Sequence, residues 1–154
     1  EQVVERLVAG VAGRMELDGV PWRPGAQALL AELKQAGVPT ALVTMSYREL
    51  TDRLERALPA GTFDVVVSGE DVQRGKPDPA PYLLAAHRLG VAPQACVAIE
   101  DSENGVRSAT AASVPTLCVP HVQPVGPISG AVQVDTLAGL RAHDLVVLTR
   151  RPTG

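Results

Sequence analysis

Glu100 and Asp101 stand side by side directly after the apolar run Val97-Ala98-Ile99. The small polar turn Ser102-Glu103-Asn104-Gly105 follows, ahead of a helical run over 106–112. Two carboxylates at the point where a buried strand leaves its sheet repel each other and lose solvation. A hard cation with oxygen ligands offsets both costs, and Mg2+ suits such a pair. A solvated loop with two incidental acids is the plain alternative, so the pair needs company. Two further polar sets supply it. Thr44, Met45 and Ser46 lie between an apolar stretch and a charged helical run. A hydroxyl with backbone N–H groups at a helix start suits a phosphate oxygen, although Ser46 could equally be a simple N-cap. Lys76 lies in Arg74-Gly75-Lys76-Pro77-Asp78-Pro79, where Gly75 permits close approach and Pro77 stiffens the exit. A lysine ammonium is a compact, mobile charge able to neutralise a phosphoryl group beside a carboxylate. Taken alone, each set has an ordinary structural use. Their order is what argues for chemistry: hydroxyl, lysine and paired acids, each after its own strand unit.

The elements that must position these groups follow from periodicity. Val3, Val4, Leu7, Val8 and Val11 recur at helical spacing, and Asp18-Gly19-Val20-Pro21 reads as a linker. Pro24-Gly25 opens a helix with Leu29, Leu30 and Leu33 on one face, ended by Gly37. Strands are expected over 40–44, 63–67, 96–99 and 116–119. Helices are expected over 47–58, 79–89 and 105–112, and a short one over 135–140. Residues 120–131 are rich in Pro and Gly and read as loop, and residues 150–154 as a frayed tail. Apolar strands alternating with amphipathic helices imply an α/β fold with a Rossmann-like parallel sheet covered on both faces. Ligands of such sheets bind beyond the carboxyl ends of the strands, where Thr44, Ser68 and Glu100-Asp101 all fall.

The bulk numbers narrow the function classes. A chain of 154 residues is long enough for one domain with a real core. Net charge is −3, with no Lys/Arg tract, which argues against a nucleic acid or an anionic membrane as partner. Aromatics are 3% of the chain, too few for base-stacking platforms. No apolar run approaches the roughly 20 residues of a membrane span. The chain reads as cytoplasmic, with Cys96 and Cys118 as reduced core thiols, since no CxxC spacing signals zinc.

With those residues in view, the sequence resembles the haloacid dehalogenase superfamily of phosphatases and phosphomutases. Leu42-Val43-Thr44-Met45-Ser46 resembles its second motif, Gly75-Lys76-Pro77-Asp78-Pro79 its third, and Ile99-Glu100-Asp101-Ser102 with Gly105 its fourth. Pro24-Gly25 before a Leu-rich helix resembles the stretch after an inserted cap. The β-phosphoglucomutase-like branch is the nearest likeness, over about residues 20–140. The resemblance implies phosphoryl transfer through an aspartyl-phosphate on a small phosphorylated metabolite, with Mg2+ as cofactor. Thr44 would hold phosphate oxygens, with Met45, Ser46 and Arg48 as lesser phosphate or substrate contacts. Lys76 would bridge the phosphate and the nucleophilic carboxylate. Asp101, with Glu100 directly or through water, would hold the metal. Ser102 and Asn104 would support them, Asn104 either by orienting the acids or only as a helix-start residue.

The family's first motif, an Asp-x-Asp-Gly-Thr/Val run that carries the nucleophile, does not occur in this sequence. Asp18-Gly19-Val20 imitates its second half, but residue 16 is Glu and 12–15 do not read as a strand. The missing strand is the central one of the fold, between those ending at Thr44 and at Asp101. A gap of about 4.7 Å per side is therefore expected in the sheet. Residues 1–18 read as the remnant of a helical cap with its linker, 19–149 as the core domain, and a preceding segment of the same protein is expected to complete the site. The competing expectation is a non-catalytic binding or interaction module that has lost its nucleophile. A phospho-receiver domain also combines acids, hydroxyl and lysine, but there the acids come first and the lysine last. A serine at 113, where the family has glycine, implies a strained left-handed turn.

Overall fold

The structure, a computed structural model, describes Val20 and residues 22–149. The expected helix and linker over 1–18, Asp18 itself and the tail 150–154 lie outside the described residues. In chain order the elements are α1 (Ala26–Gln35), β1 (Ala41–Val43), α2 (Arg48–Ala57), β2 (Val65–Val67), α3 (Ala80–Leu89), β3 (Ala98–Glu100), α4 (Glu103–Ala111), β4 (Thr116–Cys118), β5 (Ala131–Gln133) and α5 (Ala142–Thr149). Short 3-10 turns at Gly69–Asp71 and Pro93–Ala95 precede α3 and β3. No described helix is long and apolar enough to cross a membrane.

All strand pairs are parallel, as continuous apolar strands alternating with helices require. They form two sheets, β2-β1 and β3-β4-β5. Val43 pairs with Val67, Glu100 with Cys118, and Cys118 with Gln133. Helices cover both faces of the larger sheet because successive strand residues point opposite ways. Leu117 faces a cluster with Leu29 of α1 and Leu145 of α5. Its neighbour Cys118 faces Val106 of α4 and Val125. A third cluster, Tyr82, Ala98, Ala109, Ala112 and Val114, joins α3, α4 and β3. Between β1 and β3 lies a cavity of about 640 Å³, lined by residues 41–44 and 96–101 together with Leu29, Leu54 and Phe63. Among the described residues the sheet thus divides between β1 and β3, where a gap was expected.

Four local expectations need correction. The third strand is Ala98–Glu100 rather than 96–99, because Cys96 N–H donates to Pro93 O at 3.0 Å and closes a 3-10 turn. Glu100 therefore ends the strand rather than following it. Helix α4 begins at Glu103, two residues early, because Ser102 rather than a later residue is its N-cap. The stretch 135–140 is turn, with Gly139 at φ 81°. The helix starts beyond it instead, where Asp144 Oδ2 accepts from Arg141 N–H at 2.7 Å across the first turn. Finally, β5 begins at Ala131, the last residue of a stretch read as loop, and adds a fifth strand beside β4. The strained turn at Ser113 is present: its φ is +59°, the one positive φ at a non-glycine position among the described residues.

Candidate active site

Lys76 gathers the site. Its Nζ donates to Val43 O at 3.0 Å, at the carboxyl end of β1, and to Glu100 Oε1, at the carboxyl end of β3. One ammonium therefore joins the ends of the two sheets. The side chains of Lys76 and Glu100 are 8% and 5% exposed. Burying such a pair is costly unless further partners share the charge, and here the ammonium has a second acceptor in Val43 O and Glu100 Oε1 a second donor. The hydroxyl of Tyr82, from α3, donates to the same Glu100 oxygen, and the Tyr82 ring lies 5.3 Å from the ammonium. Burial, then the charge of Glu100, pushes the Tyr82 phenol well above its usual range, so it remains a proton donor.

The other Glu100 oxygen explains the glycine in the turn that follows. A Cβ on Gly105 would stand 1.9 Å from Glu100 Oε2 and 2.3 Å from its Cδ. Only a residue without a side chain lets the first turn of α4 close over this carboxylate. Ser102 caps that turn, its Oγ accepting from Gly105 N–H at 3.2 Å. Asn104 is exposed in the same turn. Of the two supporting residues, Ser102 thus has a shown structural task, and Asn104 sits as a helix-start residue.

The loop carrying Lys76 is pinned on three sides. Asp78 Oδ1 accepts from Ala80 N–H at 2.9 Å, its carbonyl accepts from Ser108 Oγ at 2.6 Å, and its Oδ2 lies 3.0 Å from Arg74 Nε. The Lys76–Pro77 peptide bond is cis. Lys76 N–H donates to Met45 Sδ at 3.4 Å, so the second polar set touches the third directly. Met45 is thereby a packing partner of the lysine loop.

Thr44 is 2% exposed and Ser46 5%. Thr44 Oγ1 donates to Ser46 Oγ at 3.1 Å and accepts from Ser46 N–H at 3.2 Å. A phosphate oxygen could take the Thr44 proton only if that donation switched away from Ser46. Arg48 is turned to Asp71, 2.5 Å from its Oδ2, and donates to Ser68 Oγ at 3.2 Å. Arg88 meets the other Asp71 oxygen at 3.0 Å. Burial raises the Asp71 carboxyl, but the Ser68 backbone N–H, Arg88, the Ser68 hydroxyl and Arg48 outweigh it and hold it far below the usual carboxylate range. This hub fixes the turn at Gly69–Asp71, whose Gly69 N–H donates to Ser46 O at 3.0 Å.

Asp101 differs from Glu100. It is half-buried, and burial, followed by the Glu100 charge, raises its carboxyl above the usual range. The charges of Arg23 and Lys76 partly offset this. A carboxylate held in that state is one that a divalent cation would stabilise, so the donor chemistry fits Mg2+. The described residues contain no group of three or more His, Cys, Asp or Glu arranged around one point. Mg2+ tolerates such a sparse set because it keeps several waters.

The structure brings Thr44, Lys76, Glu100 and Asp101 to the lining of the cavity, sets Ser46 against Thr44 and Met45 against the lysine loop, and directs Arg48 to Asp71. Three contributors escaped the sequence reading. Tyr82 had one signal, since a buried aromatic hydroxyl needs a partner. Asp71 had another, the Ser68-to-Asp71 spacing of a capping box, which the structure forms. Arg23 had none. It donates to Val119 O at 2.8 Å and Pro120 O at 3.3 Å, contacts 96 and 97 residues away in sequence.

Comparison with known proteins agrees with this geometry. A family model for haloacid dehalogenase-like hydrolases matches residues 3–113. Hexitol phosphatase A of Escherichia coli is 35% identical over 139 residues, covering 90% of this chain and 62% of that protein. A mutant of CbbY from Rhodobacter sphaeroides, solved in complex with xylulose-(1,5)bisphosphate, superposes with a TM-score of 0.80 at 32% identity over 94% of this chain and 67% of that one. A putative β-phosphoglucomutase from Thermotoga maritima superposes at 0.66 with 34% identity, over 74% of this chain and 55% of that one. The chain spans less than two thirds of the length of the curated relative.

Proposed function

This chain belongs to the haloacid dehalogenase-like hydrolase family, and on that footing we propose that it forms the core of a Mg2+-dependent phosphoryl-transfer enzyme acting in the cytoplasm on a small phosphorylated metabolite. The supporting observation is the Lys76 ammonium, held at once by the end of β1 and by Glu100. A buried cation at the joined carboxyl ends of parallel strands is where a transferring phosphoryl group would find its charge offset. Thr44 would donate to a phosphate oxygen after releasing Ser46, and Ser46 would steady that turn. Lys76 would stand between the phosphate and the attacking carboxylate. Mg2+, when held by Asp101 with Glu100 directly or through water, would offset the remaining negative charge. Relatives named for hexitol phosphate hydrolysis, xylulose-(1,5)bisphosphate binding and phosphoglucomutation favour a sugar or polyol phosphate as the substrate class.

The nucleophilic carboxylate belongs, in this reading, to an extended segment supplied by a preceding part of the same protein and seated between β1 and β3. The cavity there, with one unpaired strand edge on each side, supports it. The test compares the full-length protein with this 154-residue chain on a generic phosphomonoester, with and without Mg2+. Turnover by the full-length protein alone, dependent on Mg2+, is expected. No turnover from either would make the chain a non-catalytic relative, and turnover by the 154-residue chain would remove the need for a further strand.

A further inference from the structure

Tyr82 touches both charged groups of the buried pair, and nothing in the second, third or fourth motif demands it. It stands on the first turns of α3, the helix that the Lys76 loop launches through Pro77 and Pro79. Its hydroxyl reaches Glu100 Oε1 and its ring faces the Lys76 ammonium at 5.3 Å. Glu100 Oε1 thus carries two donors from one chain segment, while Oε2 is walled in by Gly105. The carboxylate has a single pose, clamped between a helix turn on one side and a phenol on the other. Lys76 is held through that pose, since its other partner, Val43 O, is a neutral carbonyl. A charge-assisted bond to Glu100 is the stronger of its two tethers.

We propose that Tyr82 is a positioning residue that fixes Glu100 so that the Lys76 ammonium stays at the junction of the two strand ends. The inference deepens the phosphoryl-transfer reading and rests on it for its kinetic arm only. It is tested in the full-length protein by Tyr82→Phe, which keeps the ring beneath the ammonium and removes only the hydroxyl. Two readouts are needed. The first is the rate at which Lys76 is acylated by an amine-reactive ester, followed by peptide mass spectrometry with Lys34 as internal standard. The second is kcat and KM on a phosphomonoester at saturating Mg2+. Loss of one charge-assisted donor should raise Lys76 labelling about tenfold or more and lower kcat by about tenfold to a hundredfold, with KM changed less than about twofold. A purely structural tyrosine would lower the melting temperature and leave kcat per folded molecule intact. That outcome overturns the proposal, as does an unchanged Lys76 labelling rate. Faster labelling in a protein whose wild type turns over no phosphomonoester would uphold Tyr82 as the clamp and defeat the phosphoryl-transfer reading instead.

Discussion

Strands β1 and β4 make an instructive pair. Both are three residues long, and Ala41-Leu42-Val43 is the more apolar of the two beside Thr116-Leu117-Cys118. Yet β4 is buried at every position and β1 at none. Side-chain hydrophobicity cannot explain the reversal. Neighbours can: β4 pairs on both edges, whereas β1 pairs only with β2 and turns its other edge to the cavity. An apolar strand that is less buried than a polar one marks an open place in a sheet. The proposed chemistry sits at the end of that opening, where Lys76 spans from β1 to Glu100.

The comparison extends to the groups on either side of the opening, and it can be broken in graded ways. The largest effect is expected from Lys76→Ala. The residue joins both halves, so phosphomonoester turnover in the full-length protein should vanish. Because its partner carboxylate is buried, the change should also cost about 3 to 5 kcal/mol of stability, measured by urea denaturation. Sequence spacing does not report this cost, since nothing in it places Glu100 against the ammonium. Gly105→Ala comes next. The added Cβ meets Glu100 Oε2, and relieving that overlap should cost about 1 to 3 kcal/mol and lower turnover, whereas alanine at an open helix position would stabilise.

Asp71 tests the β1–β2 half by pH. Its folded carboxyl lies below its unfolded value of about 3.9. Its contribution is therefore present above that value and lost as pH falls toward the folded one. Melting temperature should drop more steeply between pH 5 and 2 for the wild type than for Asp71→Asn, with the two curves converging in acid. Parallel curves would show that the hub with Arg48, Arg88 and Ser68 contributes nothing to this half. The smallest effect is expected from Glu32→Gln, which breaks the ion pair between Glu32 of α1 and the exposed Arg141 just before α5. The melting temperature should move little, and any effect should fade in salt.

Much of this was legible in the sequence because it depends on local pattern. The alternation of apolar strands and amphipathic helices gave the parallel α/β fold, and the missing Asp-x-Asp run foretold where the sheet divides. Thr44 and Asp101 were legible as candidates because each directly follows a strand, Glu100 because it stands beside Asp101, and Lys76 because Gly75 and Pro77 flank it in a loop. What escaped was decided by contacts distant in sequence or by turn chemistry at one residue. Arg23 reaches the end of β4 across nearly a hundred residues, which no spacing rule reports. The shift of the last helix from 135–140 to Ala142–Thr149 turns on Asp144 accepting from Arg141 N–H and on the left-handed Gly139. Arg48 looked free to meet a phosphate until Asp71 appeared opposite it.

The central claim is that Asp101 and Glu100 serve a divalent ion beside the Lys76 ammonium. It is tested most directly by titrating Mg2+ into metal-stripped full-length protein while following phosphate release, for the wild type and Asp101→Asn. Asp101 carries a raised carboxyl in the folded chain, so its charge weakens the metal-free fold as pH rises through that value. The asparagine variant should therefore melt no lower than the wild type without metal. The account predicts saturable Mg2+ activation in the wild type and none in the variant. Phosphate release that survives both metal stripping and Asp101→Asn would contradict it.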